Sequence, residues 1–440
     1  MSLQFKLQPA GKISGEIRVP GDKSVSHRSI MFGSLAEGIT HVSGFLEGED
    51  SLNTLRAFQA MGVEIEGPVD GKVCIHGVGM NGLKPPAKPL DMGNSGTSMR
   101  LLSGLLSGQS FDLELIGDRS LTKRPMKRVT DPLALMGARV DTAEGGRPPL
   151  KIHGGSQMKG IHYDMPMASA QVKSCLLLAG MYADGETSVT EPAPTRDHTE
   201  RMLAAFGYPV KTQANKISLQ GGGKLTACDI DVPSDISSAA FFMVMAAIAK
   251  EADILIKHVG INPTRTGVID ILKLMGADIT LQNHQQVGGE PVADVHVRNS
   301  QLKGIHVPEA LVPLAIDEFP VLFVAAACAQ GQTVVSGAHE LRVKECDRIQ
   351  VMADGLVALG VDATATDDGM IINGGAIKSG TVNSHDDHRI AMAFSVASLA
   401  AEGEIVIDDC DNVNTSFPTF VELANQVGLQ LTTTQTTNSL

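Results

Sequence analysis

Six times along this chain an apolar, helix-like stretch stops at a glycine and gives way to residues that alternate as a strand does. The stops are Met61-Gly62, Met136-Gly137, Phe206-Gly207, Met275-Gly276, Leu359-Gly360 and Val427-Gly428. Successive glycines lie 75, 70, 69, 84 and 68 residues apart. A period of that length is a whole supersecondary module rather than one turn of a solenoid. Between the stops, six polar clusters open longer apolar stretches: Asp22-Lys23-Ser24, Asn94-Ser95-Gly96-Thr97, Ser169-Ala170-Gln171, Ser234-Asp235, Asp317-Glu318 and Asp387-His388-Arg389. The pattern predicts six copies of one unit, each with two helices and several short strands. Helices and strands alternating in this way favour an α/β architecture. A helix N-terminus carries unpaired N–H groups and partial positive charge, so it favours anions. Copies packed symmetrically would bring several such ends to one anionic ligand.

Composition narrows the class of ligand. The chain has 440 residues, 43% hydrophobic and 19% charged, enough for two or three domains with ample core. Without Trp, and with 4% aromatic residues, a base-stacking nucleic-acid surface is not expected. The formal net charge of −13 argues against a phosphate backbone as partner, though a local cluster of Lys and Arg can still bind a small anion. Six scattered cysteines with no CxxC pair read as reduced thiols of a cytoplasmic protein. No apolar segment near the start resembles a signal peptide. The longest apolar run, Ala239 to Ala249, is too short to span a bilayer and predicts a buried helix. The Thr-rich tail from Thr432 to Leu440 is expected to fray.

Within a unit, the first helix is expected over Ser24 to about Leu35, with a turn at Glu37-Gly38 and a strand at Ile39–Val42. Two places share a Val-Pro-small-Asp pattern: Val19-Pro20-Gly21-Asp22 and Val232-Pro233-Ser234-Asp235. Proline breaks a strand, and the small residue and Asp start a helix. They predict crossovers between two domains of three units each, residues 1–20 with 235–440 and residues 21–234, with a cleft between them.

Several segments carry chemistry. Lys23 and Ser24 fall in the first turn of a helix, with Arg28 one turn on; cations there oppose the helix dipole and invite an anion. The sequence Gly21-Asp22-Lys23-Ser24 lacks the glycine spacing of a phosphate-loop NTPase. Gly96 permits close backbone approach at a second helix start. Thr122 to Arg128 holds four cations around a stiff Arg124-Pro125, and a guanidinium clamps carboxylate or phosphate bidentately. Ser169, Gln171 and Arg196 add hydroxyl, amide and guanidinium groups. Asp317-Glu318 precedes a strongly apolar helix, where an acid reads first as an N-cap. Lys344-Glu345-Cys346-Asp347-Arg348 packs opposite charges tightly enough to tune an acid or base. His385-Asp386-Asp387-His388 has metal-ligand residue types but no partner Cys/His cluster, so no metal is expected.

Nine of these segments, in this order, resemble the 5-enolpyruvylshikimate-3-phosphate synthase family: PGDKSVSHR, GNSGTSMR, KRPM, ASAQVK, TRDHTERM, IDEFP, KECDR, DHRIAM and TSFP, from Leu7 to Leu429. The resemblance implies two pseudo-threefold domains of βαβαββ units, an inside-out α/β barrel that closes on substrate. It implies enolpyruvyl transfer from phosphoenolpyruvate to the 5-hydroxyl of shikimate 3-phosphate, with no cofactor. By the same resemblance, Ser24 and Arg28 hold the shikimate carboxylate, and Ser169, Gln171 and Arg196 surround its phosphate and ring. Lys23, Arg124, Arg348 and Arg389 bind phosphoenolpyruvate, with Gly96 and Thr97 lining its pocket and Lys344 among the substrate-binding residues. Asp317 is implied as base for the 5-hydroxyl, and Glu345 as proton donor to the methylene, with Lys23 or His388 assisting.

Ala170, Arg196 and Thr415-Ser416 depart from one familiar branch and match the other, whose prominent members tolerate glyphosate; Gly96 is typical of sensitive enzymes. Glyphosate is expected in the phosphoenolpyruvate site, and the chain is expected to be a monomer with no membrane or nucleic-acid partner. Two rivals differ. A UDP-N-acetylglucosamine enolpyruvyl transferase usually has a reactive Cys before its Arg-Pro, absent from Asp118–Arg124. A non-catalytic phosphoanion-binding protein would use the same helix ends without turnover.

Overall fold

The computed structural model describes residues 2–436. The chain falls into two compact units, each with its own apolar core. One is Gly21–Val232 with Val287–Glu290; the other, the split unit, comprises the chain up to Pro20, Pro233–Gln286 and the chain from Pro291.

The 21–232 unit has six helices: α1 Lys23–Leu35, α2 Glu49–Ala60, α3 Gly96–Ser107, α4 Lys127–Leu135, α5 Ala170–Gly180 and α6 His198–Ala205. Three open sheets accompany them. Each ends in a hairpin that follows the second helix of its segment: Glu64–Val69 with Lys72–Val78, Arg139–Ala143 with Arg147–His153, and Val210–Gln213 with Lys216–Gln220. Helices α3 and α5 pack side by side. A Cβ on Gly104 would lie 2.1 Å from the Cys175 carbonyl oxygen, so this approach needs glycine.

The split unit has α7 Ile236–Ile248, α8 Gly267–Leu274, α9 Phe319–Ala327, α10 Arg348–Ala358, α11 His388–Ala397, α12 Val413–Ser416 and α13 Phe420–Val427. It too has three open sheets. Helices α7, α9 and α11 pack against one another and are buried on nearly every side, as their all-round apolar composition requires. Of the run Ala239 to Ala249 expected as a buried helix, the residues up to Ile248 lie in α7 and Ala249 is its C-cap. Among the described residues no helix is long and apolar enough to cross a membrane.

The glycine stops have a common local cause. All six have positive φ, between 78° and 119°, and each separates a helix from a strand that starts two or three residues later. That backbone conformation caps a helix C-terminus and is costly for any residue with a Cβ. The openings are N-caps in five of six cases. Asp22, Ser95, Ser169, Asp235 and Asp387 accept hydrogen bonds from backbone N–H groups of α1, α3, α5, α7 and α11.

Three expectations need correction. Before α9 the chain forms a 3₁₀ helix, Pro313–Glu318, and Glu318 makes no side-chain cap, so Asp317-Glu318 does not start the helix as an ordinary acid cap. Glu37-Gly38 is not a turn: α1 passes directly into the strand Ala36–Ser43, with Gly38 at φ +111° inside it. The tail is not frayed up to Thr436. Gln430–Thr436 pairs antiparallel with Ser2–Gln8 as an edge strand, which satisfies the backbone groups on its inner side. Residues 437–440 of that expectation lie outside the described residues.

Candidate active site: two charged clusters

In the 21–232 unit, the starts of α1, α3 and α5 carry the polar groups. A buried chain of neutral groups joins α1 to α3: His27 Nδ1 lies 2.8 Å from Thr54 Oγ1, which lies 2.8 Å from Ser98 Oγ, itself 2.8 Å from Ser95 Oγ. Burial pushes His27 down to about 3, so its imidazole is neutral at pH 7. Gln171 joins α5 to α3. Its amide nitrogen donates to Thr97 Oγ1 at 2.9 Å, and its oxygen accepts from Arg100 Nη1 at 2.7 Å. Arg124 Nη2 donates to Asn94 Oδ1 at 3.0 Å. Both guanidiniums reach the first residue of α3: a Cβ on Gly96 would lie 2.9 Å from Arg100 Nη1 and 3.3 Å from Arg124 Nη1. A helix N-terminus flanked by two guanidiniums is an anion site by charge and by geometry.

The other residues picked from the sequence in this unit sit as follows. Lys23 opens α1 and pairs with Asp50 at 2.8 Å. Ser24 accepts a hydrogen bond from Arg28 Nη1 at its backbone oxygen, 2.9 Å. Arg28 is buried, donating to Thr199 Oγ1 at 2.8 Å and to Ser174 Oγ at 3.1 Å. Burial lowers it to about 10, against the pull of Glu200, Asp22 and Glu290. Ser169 caps α5, and Arg196, two residues before α6, is close enough to act on Arg28 electrostatically. A further buried cation, Lys173, lies 3.1 Å from Glu191 and 2.6 Å from Glu200.

The split unit gathers Asp317, Lys344, Glu345, Arg348 and Arg389 around one buried guanidinium. Arg348 is 1% exposed and bonds Asp387 at 2.7 Å, Glu345 at 2.7 Å and Asp317 at 3.4 Å. Lys344 Nζ also lies 3.4 Å from Asp317. Arg389 Nη1 donates to the Asp317 backbone oxygen at 3.2 Å. His388 is the buried first residue of α11. Burial alone would raise Asp387, but the Arg348 guanidinium holds it below the usual carboxylate range. Burial and Asp387 together push the Cys346 thiol up, leaving it protonated and inert.

Next to Asp317, the buried Glu318 turns the other way. It accepts a hydrogen bond from Ser237 Oγ and lies 3.8 Å from Arg265 Nη2, which also pairs with Asp235 at 3.2 Å. The 3₁₀ segment is thus pinned at Glu318 while Asp317 faces Lys344 and Arg348.

Sequence reasoning gave no site role to Arg100, Ser174 or Thr199, and it named Asn94, Asp387 and Glu318 only as members of helix-opening clusters. Arg100 had a signal: it stands four residues after Gly96, one helical turn along the same face. A cavity of about 650 Å³ elsewhere in the split unit, walled in part by Arg18, Lys257, His258 and Asp294, contains none of the picked residues.

Comparison with known proteins gives the family. Residues 7–423 match the family model for EPSP synthase (3-phosphoshikimate 1-carboxyvinyltransferase). The chain is 73% identical over 438 residues to the 3-phosphoshikimate 1-carboxyvinyltransferase of Hydrogenovibrio crunogenus, covering 98% of each chain. It is 66% identical over 427 residues to that of Methylococcus capsulatus, covering 97% of this chain and 98% of the relative. Among solved structures, EPSP synthase from Acinetobacter baumannii superposes with a TM-score of 0.91 at 64% identity, covering 98% of this chain and all of that one. A match this long, carried through every segment that builds the two clusters, makes this chain a member of the EPSP synthase family.

Proposed function

We infer that the chain transfers the enolpyruvyl group of phosphoenolpyruvate to the 5-hydroxyl of shikimate 3-phosphate, releasing phosphate, in aromatic amino acid biosynthesis. The observation that carries this reading is the placing of Asp317 and Glu345 on the one buried guanidinium of Arg348, with Lys344 beside Asp317. Two carboxylates that share a fixed cation are oriented for proton transfer on either side of it.

In this reading Asp317 takes the 5-hydroxyl proton as that oxygen attacks C2 of phosphoenolpyruvate. Glu345 delivers a proton to C3, turning the methylene into a methyl group, with Lys23 or His388 assisting. The tetrahedral adduct then loses phosphate by breaking the C2–O bond, and the methyl group returns a proton to restore the double bond. Lys23, Arg124, Arg348 and Arg389 hold phosphoenolpyruvate, with Gly96 and Thr97 against it and Lys344 among the substrate-binding residues. Ser24, Arg28, Ser169, Gln171 and Arg196 hold shikimate 3-phosphate. Both substrates are polyanions, so the fixed cations and helix ends are the preorganised part of the site.

The same reading includes six βαβαββ copies arranged with pseudo-threefold symmetry as an inside-out α/β barrel, a monomer in the cytoplasm, and glyphosate as a competitor at the phosphoenolpyruvate pocket. The test is phosphate release dependent on both substrates. Asp317→Ala and Glu345→Gln are each expected to lower kcat by about 10²–10⁴-fold. Full turnover in both variants would remove the roles of these two carboxylates. Turnover with UDP-N-acetylglucosamine in place of shikimate 3-phosphate would favour the first rival, and tight shikimate 3-phosphate binding without turnover the second.

A further inference from the structure

We infer that Glu66, Cys74 and His76 form a binding site for a divalent transition metal of the zinc class, on the outward face of the sheet that holds Glu64–Val69 and Lys72–Val78. Strand alternation sets the faces. Val73 and Ile75 point into the core, which turns Cys74 and His76 outward. The antiparallel register sets Glu66 opposite Cys74 and Glu64 opposite His76, and directly opposed residues share a face. One thiol, one imidazole and two carboxylates therefore meet on one patch, and none of them is a residue placed in either charged cluster.

The spacing fits a metal. The ligand atoms of Glu66, Cys74 and His76 all lie within 4.8 Å of one another. Cys74 Sγ is 3.8 Å from His76 Nε2, which is 3.0 Å from Glu66 Oε1. Tetrahedral zinc holds sulfur and nitrogen about 3.5 Å apart, and nitrogen and oxygen about 3.3 Å apart, given its usual bond lengths. Small side-chain rotations would close the difference. Thiol and imidazole ligands select zinc, cobalt or copper over magnesium or calcium. The fourth position is open to water or to Glu64. His41, exposed and opposite Cys74 on the neighbouring strand Ala36–Ser43, stands on the same face.

Glu66 and Glu64 give the patch the negative charge that favours a cation. Partial burial first, then the nearby Glu66 and Glu64, raise the Cys74 thiol above its ordinary value. A dication reverses that balance, and its binding displaces the thiol proton to solvent. Glu64–Val69 is the edge strand of its sheet, and its pairing slips between Glu66 and Val69. A metal held by Glu66 on one strand and by Cys74 and His76 on the next would fasten that edge.

The test uses the full chain, thiols reduced, titrated with Co²⁺ and then Zn²⁺. Wild type is expected to take up one equivalent, to develop thiolate-to-cobalt charge-transfer absorption, and to unfold at higher temperature as free zinc rises. Cys74→Ser is expected to abolish the absorption, and Cys74→Ser and His76→Ala each to weaken zinc binding at least about ten-fold, as loss of a metal contact does. Turnover of the two substrates should be the same in all three proteins. Absorption that survives in Cys74→Ser, or zinc uptake no stronger in wild type than in a Cys74→Ser/His76→Ala double variant, would overturn the site. These are outward-facing positions, where substitution changes stability by about 0.5 kcal/mol or less. If either variant nonetheless fails to fold, Glu66→Gln makes the same comparison through zinc affinity alone.

Discussion

The two charged clusters hold their cations in different ways. In the split unit, Arg348 sits among three carboxylates, Asp317, Glu345 and Asp387, and is almost wholly buried. In the 21–232 unit, Arg100 and Arg124 rest on the amide oxygens of Gln171 and Asn94, and Arg28 on the hydroxyls of Thr199 and Ser174. A carboxylate cancels a guanidinium's charge; an amide or hydroxyl only orients it. Carboxylates meet cations in both units, Lys23 with Asp50 and Lys173 with Glu191 and Glu200 in the 21–232 unit, so the contrast lies in how Arg348 is held against how Arg28, Arg100 and Arg124 are oriented. Arg348 thus has a structural role beside the binding role proposed for it. Arg348 is needed by its own neighbours whether or not substrate is present, whereas the tips of Arg100 and Arg124 gather at the start of α3 beside Gly96.

The sharpest way to break this comparison is to neutralise one cation of each kind. Arg348→Gln strands Asp387, which is fully buried, and Glu345 beside it. Removing one partner of a buried pair costs about 3–5 kcal/mol, so this variant should unfold at clearly lower urea concentration. Arg124→Gln should leave the urea midpoint near wild type. It should reduce kcat/KM for phosphoenolpyruvate by about 10–100-fold, the worth of one charged hydrogen bond of about 1.5–3 kcal/mol. If Arg124→Gln proves the less stable of the two, or Arg348→Gln loses no stability, the two clusters do not differ as described.

How much of this could be read in the sequence follows from how local each feature is. Five helix starts were legible because Asp, Ser and the backbone they cap lie within three residues of one another. The six glycine stops were legible because positive φ is a property of a single residue. Asp317 reads as a cap in the sequence because the fate of its side chain depends on Lys344 and Arg348, which lie far along the chain. Thr199 and Ser174 were invisible for the same reason: each is an ordinary helix residue until Arg28 arrives from 146 or more positions away. The Thr-rich tail looked unstructured because its pairing partner, Ser2–Gln8, is at the other end of the chain.

A smaller effect tests the neutral hydrogen-bond chain of the 21–232 unit. His27 titrates near 6.5 when unfolded and, because it is buried, only at about 3 in the fold. Between those values the unfolded state binds the extra proton, so stability falls as pH drops below 6.5 and is undisturbed by this group above it. From pH 7 to pH 5 the loss from this residue is about 2 kcal/mol. His27→Gln, which keeps a polar group toward Thr54 but cannot be protonated, should show a flatter decline in urea midpoint over that range. A decline as steep as wild type would mean that His27 is charged in the fold.

Gly96→Ala separates the two things that residue does. Its φ is not positive, so the backbone accepts alanine, and at the first position of α3 alanine favours the helix by about 0.5–1 kcal/mol over glycine. The new methyl carbon would, however, sit 2.9 Å from Arg100 Nη1, and that nitrogen is already tied to Gln171 at 2.7 Å. The guanidinium must move, and moving it disturbs that bond. One hydrogen bond to a charged group is worth about 1.5 kcal/mol at the low end, so KM for phosphoenolpyruvate should rise by up to about ten-fold. KM for shikimate 3-phosphate should change less, and the unfolding temperature should stay level or rise. A variant that becomes more stable with both KM values unchanged would show that the guanidiniums over Gly96 do not face the substrate. A fall in stability would show instead that they are packed too tightly to yield, as the cations of the other cluster are.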